Sequence, residues 1–424
     1  MTALVVTLVA VLLLTLRVPV GFALVIPSLG YIVFASSLSL TAAMERTVSS
    51  LNSFPLLAVP LFILVGYIAN NAGLAERLFS AAQMLVGRVR GGLGYVSVLS
   101  SLGFSWMSGS AVSDVAVMAT VQVPQMQKRG YGNRFIAGIT GASSLVTPVM
   151  PPSIPAIMYG VASGVSIGAL FIAAVIPALL LTVVLCVAVW FYARNKNELR
   201  GGPPEPGRWR VYLSVLPVMF APVIVLGGIL GGVFTPTEAA AVTVTYLIVV
   251  SVVFYRSLSL KGMISALRST FSTTASIMFL VAASSLFGWV LTMERVPATL
   301  AKQVTALTDN PIIFMLLVLV VLLLIGMVME PVSAVLITTP VLLPVAMEMG
   351  IDPIQFGIFL ILTLLIGLFT PPVGLVLFVM ESVTTLKSSE ILRGVLPFVA
   401  LFIGLAILLI LVPELTLWLP QLMS

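Results

Sequence analysis

The chain has 424 residues, of which 60% are hydrophobic and only 8% are charged. A water-soluble domain needs roughly a quarter charged residues to cover its surface, so most side chains here must face lipid or one another. Cys186 is the only cysteine and histidine is absent, which excludes an internal disulfide, a Ser-His triad and a His-ligated metal. The net charge of +6 is therefore interpreted by position along the chain rather than as a sign of nucleic-acid binding.

Apolar stretches of about 20 residues, the length that crosses a bilayer as a helix, recur along the chain. Strand-type alternation is absent, so the sequence predicts an all-α polytopic membrane protein. A GxxxxGK(S/T) phosphate loop and a Gly-x-Ser-x-Gly nucleophile motif are also absent, so we expect neither ATP hydrolysis nor other enzymatic activity. The predicted helices cover residues 2–16, 19–36, 54–71, 134–159, 168–193, 211–232, 236–255, 270–292, 354–379 and 394–412.

Two further apolar stretches, at 91–127 and 311–347, are interrupted in the middle by small and polar residues. The first interruption runs from Gly103 to Asp114 and the second from Gly326 to Ser333. Irregular backbone at membrane depth is tolerated only where protein or a wet cavity satisfies its polar groups. We therefore predict two re-entrant helical hairpins.

The basic residues predict the orientation of the chain. If the polar loop Arg194–Arg210 is cytoplasmic, 17 of the 20 lysines and arginines fall on that side, and only Arg46, Arg295 and Lys302 lie outside. This bias predicts a multi-pass protein of the bacterial inner membrane with a periplasmic N-terminus. It also predicts that the two hairpins enter from opposite faces of the membrane. The first hairpin returns to the basic segment Lys128–Arg134 inside, and the second returns to Glu348 and Asp352 outside.

The two halves of the chain match at a shift of 220 residues. The shift pairs Ser113 with Ser333, Pro124 with Pro344, Gly130 with Gly350, Pro151 with Pro371 and Pro152 with Pro372. Together with the opposite entry faces, this register predicts an inverted-topology repeat. Such repeats place substrate and ions near the membrane midplane, at discontinuous helices, and support alternating access.

Each half also carries prolines inside an otherwise spanning helix, in the segments Gly141–Ser153 and Gly367–Gly374. A simple proline kink would explain one such segment. Two symmetric segments, each facing a polar hairpin tip, favour a binding site instead. Freed carbonyls and Ser or Thr hydroxyls suit an alkali cation such as Na⁺, and half-helix N-termini attract anionic groups.

Three acids need an interpretation. Asp114 and Glu330 lie at the two hairpin interruptions, where each is either a functional carboxylate or the cap of the returning helix, and both roles can hold together. Glu238 in the run Thr-Pro-Thr-Glu is instead predicted to close a capping box with Thr235. Segments Leu74–Arg90 and Val296–Thr308 are predicted as interfacial arm helices that join a spanning helix to a hairpin.

Nearly the whole chain resembles the large membrane (M) subunit of tripartite ATP-independent periplasmic (TRAP) transporters. The motifs that carry the resemblance are Arg-Val-Pro-Val-Gly-Phe-Ala (17–23), Pro-Leu-Phe-Ile-Leu-Val-Gly (60–66), Ser-Gly-Ser-Ala-Val-Ser-Asp (108–114), Val-Met-Pro-Pro-Ser (149–153), Gly-Val-Phe-Thr-Pro-Thr-Glu-Ala-Ala (232–240) and Phe-Thr-Pro-Pro-Val-Gly (369–374). One departure is Asp114-Val-Ala-Val, where the family normally has Asp-Ala-Ala.

The resemblance implies an ion-transporter-superfamily fold and a Na⁺-coupled importer of an organic acid, such as a C4-dicarboxylate or sialic acid. It implies two protein partners, a small membrane (Q) subunit and a periplasmic substrate-binding protein, and no cofactor besides Na⁺. It also implies an elevator mechanism. The corresponding division is scaffold at 1–75 and 211–293, a first transport half with its arm at 76–193, a cytoplasmic loop at 194–210, and a second transport half with its arm at 294–424.

The hairpin tips and helix breaks give the expected site residues. For substrate these are Ser110, Ser113, Asp114, Pro151, Ser153, Glu330, Ser333 and Pro371. By position, the resemblance implies Na⁺ ligands at Ser108, Gly109, Ser110, Thr147 and Pro148 for one site, and at Gly326, Val328, Gly367 and Thr370 for the other. Two alternatives stay open: a stand-alone Na⁺-coupled carboxylate symporter that needs no binding protein, and a channel.

Overall fold

The computed structural model describes residues 2–16, 18–36, 39–196, 199, 208–371 and 374–423, with the side chains of all except 2–4, 208–214, 305, 307 and 423. Within these ranges all regular structure is helical, which confirms the all-α prediction. Arg17, most of the basic loop after residue 196 and Pro372 lie outside the described residues. The helices of the first half are α1 (Thr2–Thr15), α2 (Val20–Phe34), α3 (Leu40–Ser49), α4 (Ala58–Asn71), α5 (Leu74–Val86), α6 (Gly92–Ser108), α7 (Ala111–Lys128), α8 (Asn133–Ser144), α9 (Val146–Val149), α10 (Ile154–Ser163) and α11 (Ile167–Ala193).

The second half repeats the element order of the first from the arm helix onward. Its helices are α12 (Arg208–Pro222), α13 (Gly228–Leu230), α14 (Pro236–Val249), α15 (Leu260–Met293), α16 (Val296–Leu307), α17 (Pro311–Val328), α18 (Pro331–Glu348), α19 (Pro353–Leu368), α20 (Leu375–Val383), α21 (Ser388–Leu411) and α22 (Glu414–Met423). Adding 220 to the bounds of α7 gives 331 and 348, which are the bounds of α18. The same shift carries α8 onto the start of α19, and α11 onto α21 to within two residues at each end. The internal repeat is therefore present in the helices as well as in the sequence; the opposite orientation of the two copies stays a prediction.

The two hairpins are closed by two-residue connections of different chemistry. Between α6 and α7, Gly109 takes a left-handed backbone (φ 57°) and Ser110 caps the returning helix, a conformation that favours glycine. Between α17 and α18, Glu330 takes the capping position and Pro331 occupies the first turn of the helix. Whether either hairpin is re-entrant stays a prediction, since the arms of the second, α17 and α18, are each long and apolar enough to cross a membrane.

Both predicted helix breaks are present. The first helix stops at Val149, passes through the cis peptide bond Pro151–Pro152, and resumes at Ile154 with a bend of 43°. In the second half α19 ends at Leu368 and α20 begins at Leu375, after Gly374 with φ 51°. Proline cannot donate the helical hydrogen bond, so these sequences end one helix and begin the next.

Some sequence predictions were wrong in their bounds. The helix predicted at 270–292 begins at Leu260 and has 34 residues, about 51 Å of helix. Lys261 and Arg268 lie on this helix. A helix longer than the bilayer thickness can carry charged side chains near its end, because they reach water there without ending the helix. The short helices α3 and α22 were not predicted. In the part of the chain described, seven helices are long and apolar enough to span a membrane, or eight if the bent pair at 133–163 is one span.

The helices predicted for the scaffold pack on one another and also on the hairpins. Helix α4 packs against α14 and α15, and α15 packs against α2, while α4 also contacts α6 and α15 also contacts α18. The hairpins and broken helices pack across the repeat: α8 of the first half lies along α21 of the second, and α10 lies along α18. The two transport halves therefore share one core, although the division into mobile and fixed parts stays a prediction.

Two glycines allow the close approach of α8 and α21. A Cβ on Gly394 would overlap the carbonyl oxygen of Arg134, and a Cβ on Gly138 would overlap the carbonyl of Gly394 and the ring of Phe398. Backbone atoms of a neighbouring helix cannot move away cheaply, so these positions tolerate no side chain. Gly404, on the same helix α21, has no heavy atom within 4 Å of its ideal Cβ position.

We therefore expect Gly394→Ala to lower the thermal unfolding midpoint of the purified protein in detergent. The cost of overpacking is about 1–3 kcal/mol. Gly404→Ala is the matched control and should leave the midpoint unchanged or raise it slightly, since alanine is the better helix former. Equal shifts for the two variants would contradict the close-packing argument.

Candidate functional site

A cavity of about 660 Å³ lies where the two hairpin tips meet the scaffold. One wall comes from α2, α4 and α15, and the opposite wall comes from both hairpins, the broken helix α9–α10 and α19. The predicted site residues on its surface are Ser108, Gly109, Ser110, Ser113, Pro148, Glu330 and Ser333. The structure thus brings the two hairpin tips, which are 220 residues apart in sequence, to one cavity.

The tip of the first hairpin turns a helix N-terminus toward this cavity. Ser110 Oγ accepts a hydrogen bond from the Ser113 amide at 3.4 Å, and Ser108 Oγ donates to the Ser110 carbonyl at 3.3 Å. The remaining amides of the first turn of α7 have no helical partner, and the helix dipole adds positive partial charge there. The tip can therefore attract an anionic group without any basic side chain.

The tip of the second hairpin carries an acid at the equivalent place. Glu330 Oε2 accepts a hydrogen bond from the Ser333 amide at 3.2 Å. Glu330 therefore caps α18, which is one of the two roles predicted for it. Its side chain also lines the cavity. Capping and exposure to the cavity occur together, so the second, functional interpretation stays open for Glu330.

The first helix break lies at the edge of the cavity. Pro148, Ile154 and Pro155 line it, whereas Ser153 is 1% exposed and lies behind them. Ser153 Oγ donates to the Pro148 carbonyl at 2.5 Å and accepts from the Ala156 amide at 3.3 Å. Ser153 therefore holds the two ends of the break together. Pro151 is buried beside it and does not reach the cavity surface.

Asp114 and Thr147 lie deeper, behind the first tip. Both are fully buried, and neither lines the cavity. Asp114 Oδ2 accepts from Ser101 Oγ at 2.7 Å, and Thr147 Oγ1 donates to the Ser101 carbonyl at 3.2 Å. These three residues, on α7, α6 and α9, form a polar cluster inside the first transport half; we call Ser101, Asp114 and Thr147 the deep cluster.

The predicted residues of the second break take different places. Gly326 and Gly367 bring α17 and α19 together: a Cβ on Gly326 would lie 2.5 Å from the Leu364 carbonyl oxygen, and one on Gly367 would lie 2.6 Å from the Gly326 Cα. Thr370 Oγ1 donates to the Ile366 carbonyl at 2.6 Å. Neither these residues nor Val328 and Pro371 line the cavity, so their predicted roles rest on position alone.

The scaffold wall of the cavity was missed by the sequence analysis. It presents Tyr67 and Asn70 from α4 and Thr273 and Ser276 from α15, with the Tyr67 hydroxyl 3.0 Å from Thr273 Oγ1. Each pair is spaced three residues apart and so shares one helix face. Polar residues at that spacing in an apolar helix were the signal that could have identified this wall.

The predicted capping box at the start of α14 is confirmed, far from the cavity lining. Thr235 N donates to Glu238 Oε2 at 2.8 Å, and the Glu238 amide donates to Thr235 Oγ1 at 3.3 Å. Glu238 therefore belongs to the structure of the scaffold. Of the described residues that line the cavity, only Glu330 carries a formal charge, and none is lysine or arginine.

Known proteins resemble this chain along almost its whole length. The family model described as the tripartite ATP-independent periplasmic transporter, DctM component, matches residues 6–415. The sialic acid TRAP transporter large permease protein SiaM of Vibrio cholerae is 39% identical over 97% of this chain and 96% of its own length. The 2,3-diketo-L-gulonate TRAP transporter large permease protein YiaN of Escherichia coli is 36% identical over 95% of each chain.

Two more comparisons agree with these. The C4-dicarboxylate TRAP transporter large permease protein DctM of Pseudomonas aeruginosa is 37% identical over 87% of this chain and 86% of its own. The crystal structure of the YdaH transporter of Alcanivorax borkumensis, described as having an unusual topology, superposes with a TM-score of 0.62 over 90% of each chain at 18% identity, which shows likeness of fold alone. The family match and the relatives together show that the chain belongs to the DctM family, the large permease proteins of tripartite ATP-independent periplasmic transporters.

Proposed function

We propose that this chain is the large membrane subunit of a Na⁺-coupled importer for a small organic acid. The observation that supports it best is the cavity between the two hairpin tips, where α7, α10 and α18 all begin. Serine hydroxyls cap α7 and α10, whereas Glu330 caps α18, so an anion would be drawn to the first two helix N-termini. The hydroxyl-bearing tips and the breaks supply the neutral oxygens that suit a weakly held alkali cation.

The relatives support the class of cargo. Sialic acid, 2,3-diketo-L-gulonate and C4-dicarboxylates, which three of the relatives are named for, all carry a carboxylate. A carboxylate in this cavity would take its hydrogen bonds from the first turn of α7, from serine hydroxyls of the tips and from Asn70. Glu330 would repel a second carboxylate on the same side, so we expect it to face the uncharged end of the cargo or a bound cation.

The family also supports the two protein partners. The family is tripartite, and this chain matches its DctM component. We therefore propose two partners, a small membrane subunit and a periplasmic binding protein that delivers the cargo. We also propose that the assembly lies in the bacterial inner membrane. The distribution of basic residues supports a periplasmic N-terminus for this chain.

Movement of the hairpins against the scaffold would expose the cavity to each side of the membrane in turn. Gly66 of α4 lies at this boundary: its ideal Cβ would be 2.5 Å from the Met107 carbonyl oxygen of the first hairpin. On α15, the ideal Cβ of Gly288 would lie 3.3 Å from Pro340 Cγ of the second hairpin. Glycine at both boundaries supports an elevator-like displacement, since smooth backbone surfaces slide past each other more easily than interlocked side chains.

The function can be tested by reconstituting the chain with its small subunit in proteoliposomes and measuring uptake of a radiolabelled organic acid. We expect uptake only when the loaded binding protein is outside and the Na⁺ gradient points inward. Removing either condition should lower the initial rate at least tenfold. Replacement of external Na⁺ by K⁺ at equal ionic strength is the control for the ion.

Two results would overturn the proposal. Saturable Na⁺-driven uptake by this chain alone, with no binding protein, would identify a stand-alone symporter. Uptake that does not saturate and survives collapse of the Na⁺ gradient would identify a channel.

The scaffold wall gives a second prediction. Tyr67→Phe removes a hydroxyl that faces the cavity and pairs with Thr273, so we expect the transport KM to rise about fivefold, the equivalent of roughly 1 kcal/mol of net hydrogen bonding. Tyr246→Phe is the matched control, because that hydroxyl donates to the Pro217 carbonyl at 2.7 Å away from the cavity. Equal KM values for Tyr67→Phe and Tyr246→Phe would show that the α4 wall does not contact the cargo.

A further inference from the structure

The first turns of α15 carry an exposed apolar stripe. Its members are Leu260, Ile264, Leu267 and Phe271, whose side chains are between 49% and 78% exposed. Their spacing of four, three and four residues places them on one helix face. The 34 residues of α15 make about 51 Å of helix, whereas the hydrocarbon core of a bilayer is about 30 Å thick, so we expect these turns to lie at the membrane interface. An apolar stripe at this level is unfavourable in contact with water and needs a cover.

Basic side chains border the stripe. Lys261 and Arg268 lie seven residues apart along one edge of it, and Arg256 lies in the turn that precedes α15. All three side chains are exposed. No acidic residue occurs between Glu238 and Glu294, so neither the turn nor α15 supplies a counter-charge. The stripe therefore has a positively charged border at the predicted cytoplasmic side of the membrane.

The start of the arm helix α5 brings a fourth basic residue to this turn. The guanidinium carbon of Arg77 lies 4.3 Å from the centre of the Tyr255 ring, and Tyr255 directly precedes Arg256 in the chain. Nearby, Asn71 Nδ2 at the end of α4 donates a hydrogen bond to the Gly262 carbonyl at 2.9 Å. These two contacts fix the start of the arm helix against the turn. The basic side chains are therefore gathered at one place.

Arg256 also has an unusual backbone conformation. Its φ is 49°, in the left-handed region that glycine adopts freely and that residues with a long side chain rarely adopt. Glycine would be the favoured residue if this position only had to turn the chain. Strained backbone of this kind is concentrated at functional sites. Because the side chain of Arg256 is exposed and gains little from packing, its charge is the property that such a site would use.

We propose that this place binds one anionic phospholipid, such as phosphatidylglycerol. Its phosphate would lie among Arg77, Arg256, Lys261 and Arg268, which we call the basic corner, and the upper part of its acyl chains would cover the stripe. Four positive charges beside the single acid Glu76 fit an anionic headgroup better than a zwitterionic one. A soluble anion would leave the stripe uncovered, and a helix of a partner protein would not need the charges. A lipid held here would fasten the arm helix α5 to the scaffold.

The test compares lipids on the full-length chain. The protein is reconstituted in nanodiscs of phosphatidylcholine with or without phosphatidylglycerol, and the lipid that stays bound after extraction is counted by native mass spectrometry. We expect one phosphatidylglycerol per chain and a higher thermal unfolding midpoint when this lipid is present. Arg256→Gln combined with Lys261→Gln should weaken its binding roughly thirtyfold, the loss expected for two basic residues at a membrane surface, and abolish the midpoint shift.

Lys128→Gln combined with Arg129→Gln is the matched control. These two exposed basic residues end the first hairpin on the same predicted side of the membrane, so the variant loses the same charge and should keep the lipid. If the double variant in the basic corner does not fold, Arg268→Gln alone should weaken binding about fivefold.

Three results would overturn the proposal. The first is equal retention of phosphatidylglycerol by the basic-corner variant and the control, and the second is equal retention of phosphatidylcholine and phosphatidylglycerol by the unchanged protein. The third is capture of the small membrane subunit by a photocrosslinker placed at Leu267, since the stripe would then be a protein interface. The transport function does not depend on this lipid site and stands in each case.

Discussion

The structure depends on one constraint, that a peptide group in hydrocarbon has no water to bond with. Every interruption of a helix at membrane depth must then be enclosed by protein or open onto a wet space. The described residues contain two hairpin tips and two helix breaks that are predicted to lie at this depth. The tips and the first break meet around one cavity, and the second break is closed by the contact of Gly326 with Gly367. Three of the four interruptions therefore share one cavity, which is where a transporter needs polar groups.

Much of this arrangement could be predicted from the sequence, because its signals are local. Prolines and glycines end helices whatever surrounds them, so the breaks after Val149 and Leu368 and both hairpin turns were predicted. The capping box of Glu238 was predicted for the same reason. The 220-residue register then joined the two halves, since spacing survives where individual residues change.

The rest could not be predicted because it depends on how helices are rotated about their axes. The sequence predicted that Asp114 lies at the first tip. It did not predict that the side chain faces Ser101 instead of the cavity. Tyr67 and Thr273 meet across two helices that are distant in sequence, and no local pattern records that meeting. The start of α15 at Leu260 was missed because charged residues on a helix of 34 residues mark its exit from the bilayer rather than its end.

The contact between α8 and α21 has a consequence for the making of the protein. Helix α8 ends at Ser144 and α21 begins at Ser388. The core of the protein therefore joins segments that are separated by more than half of the chain. During synthesis the first hairpin and its broken helix are inserted long before the helix that covers them exists. Non-local contacts of this kind form slowly and leave surface uncovered in the interval. The face of α8 that carries Gly138 must therefore be covered by lipid, or by another membrane protein, until the last tenth of the chain is inserted.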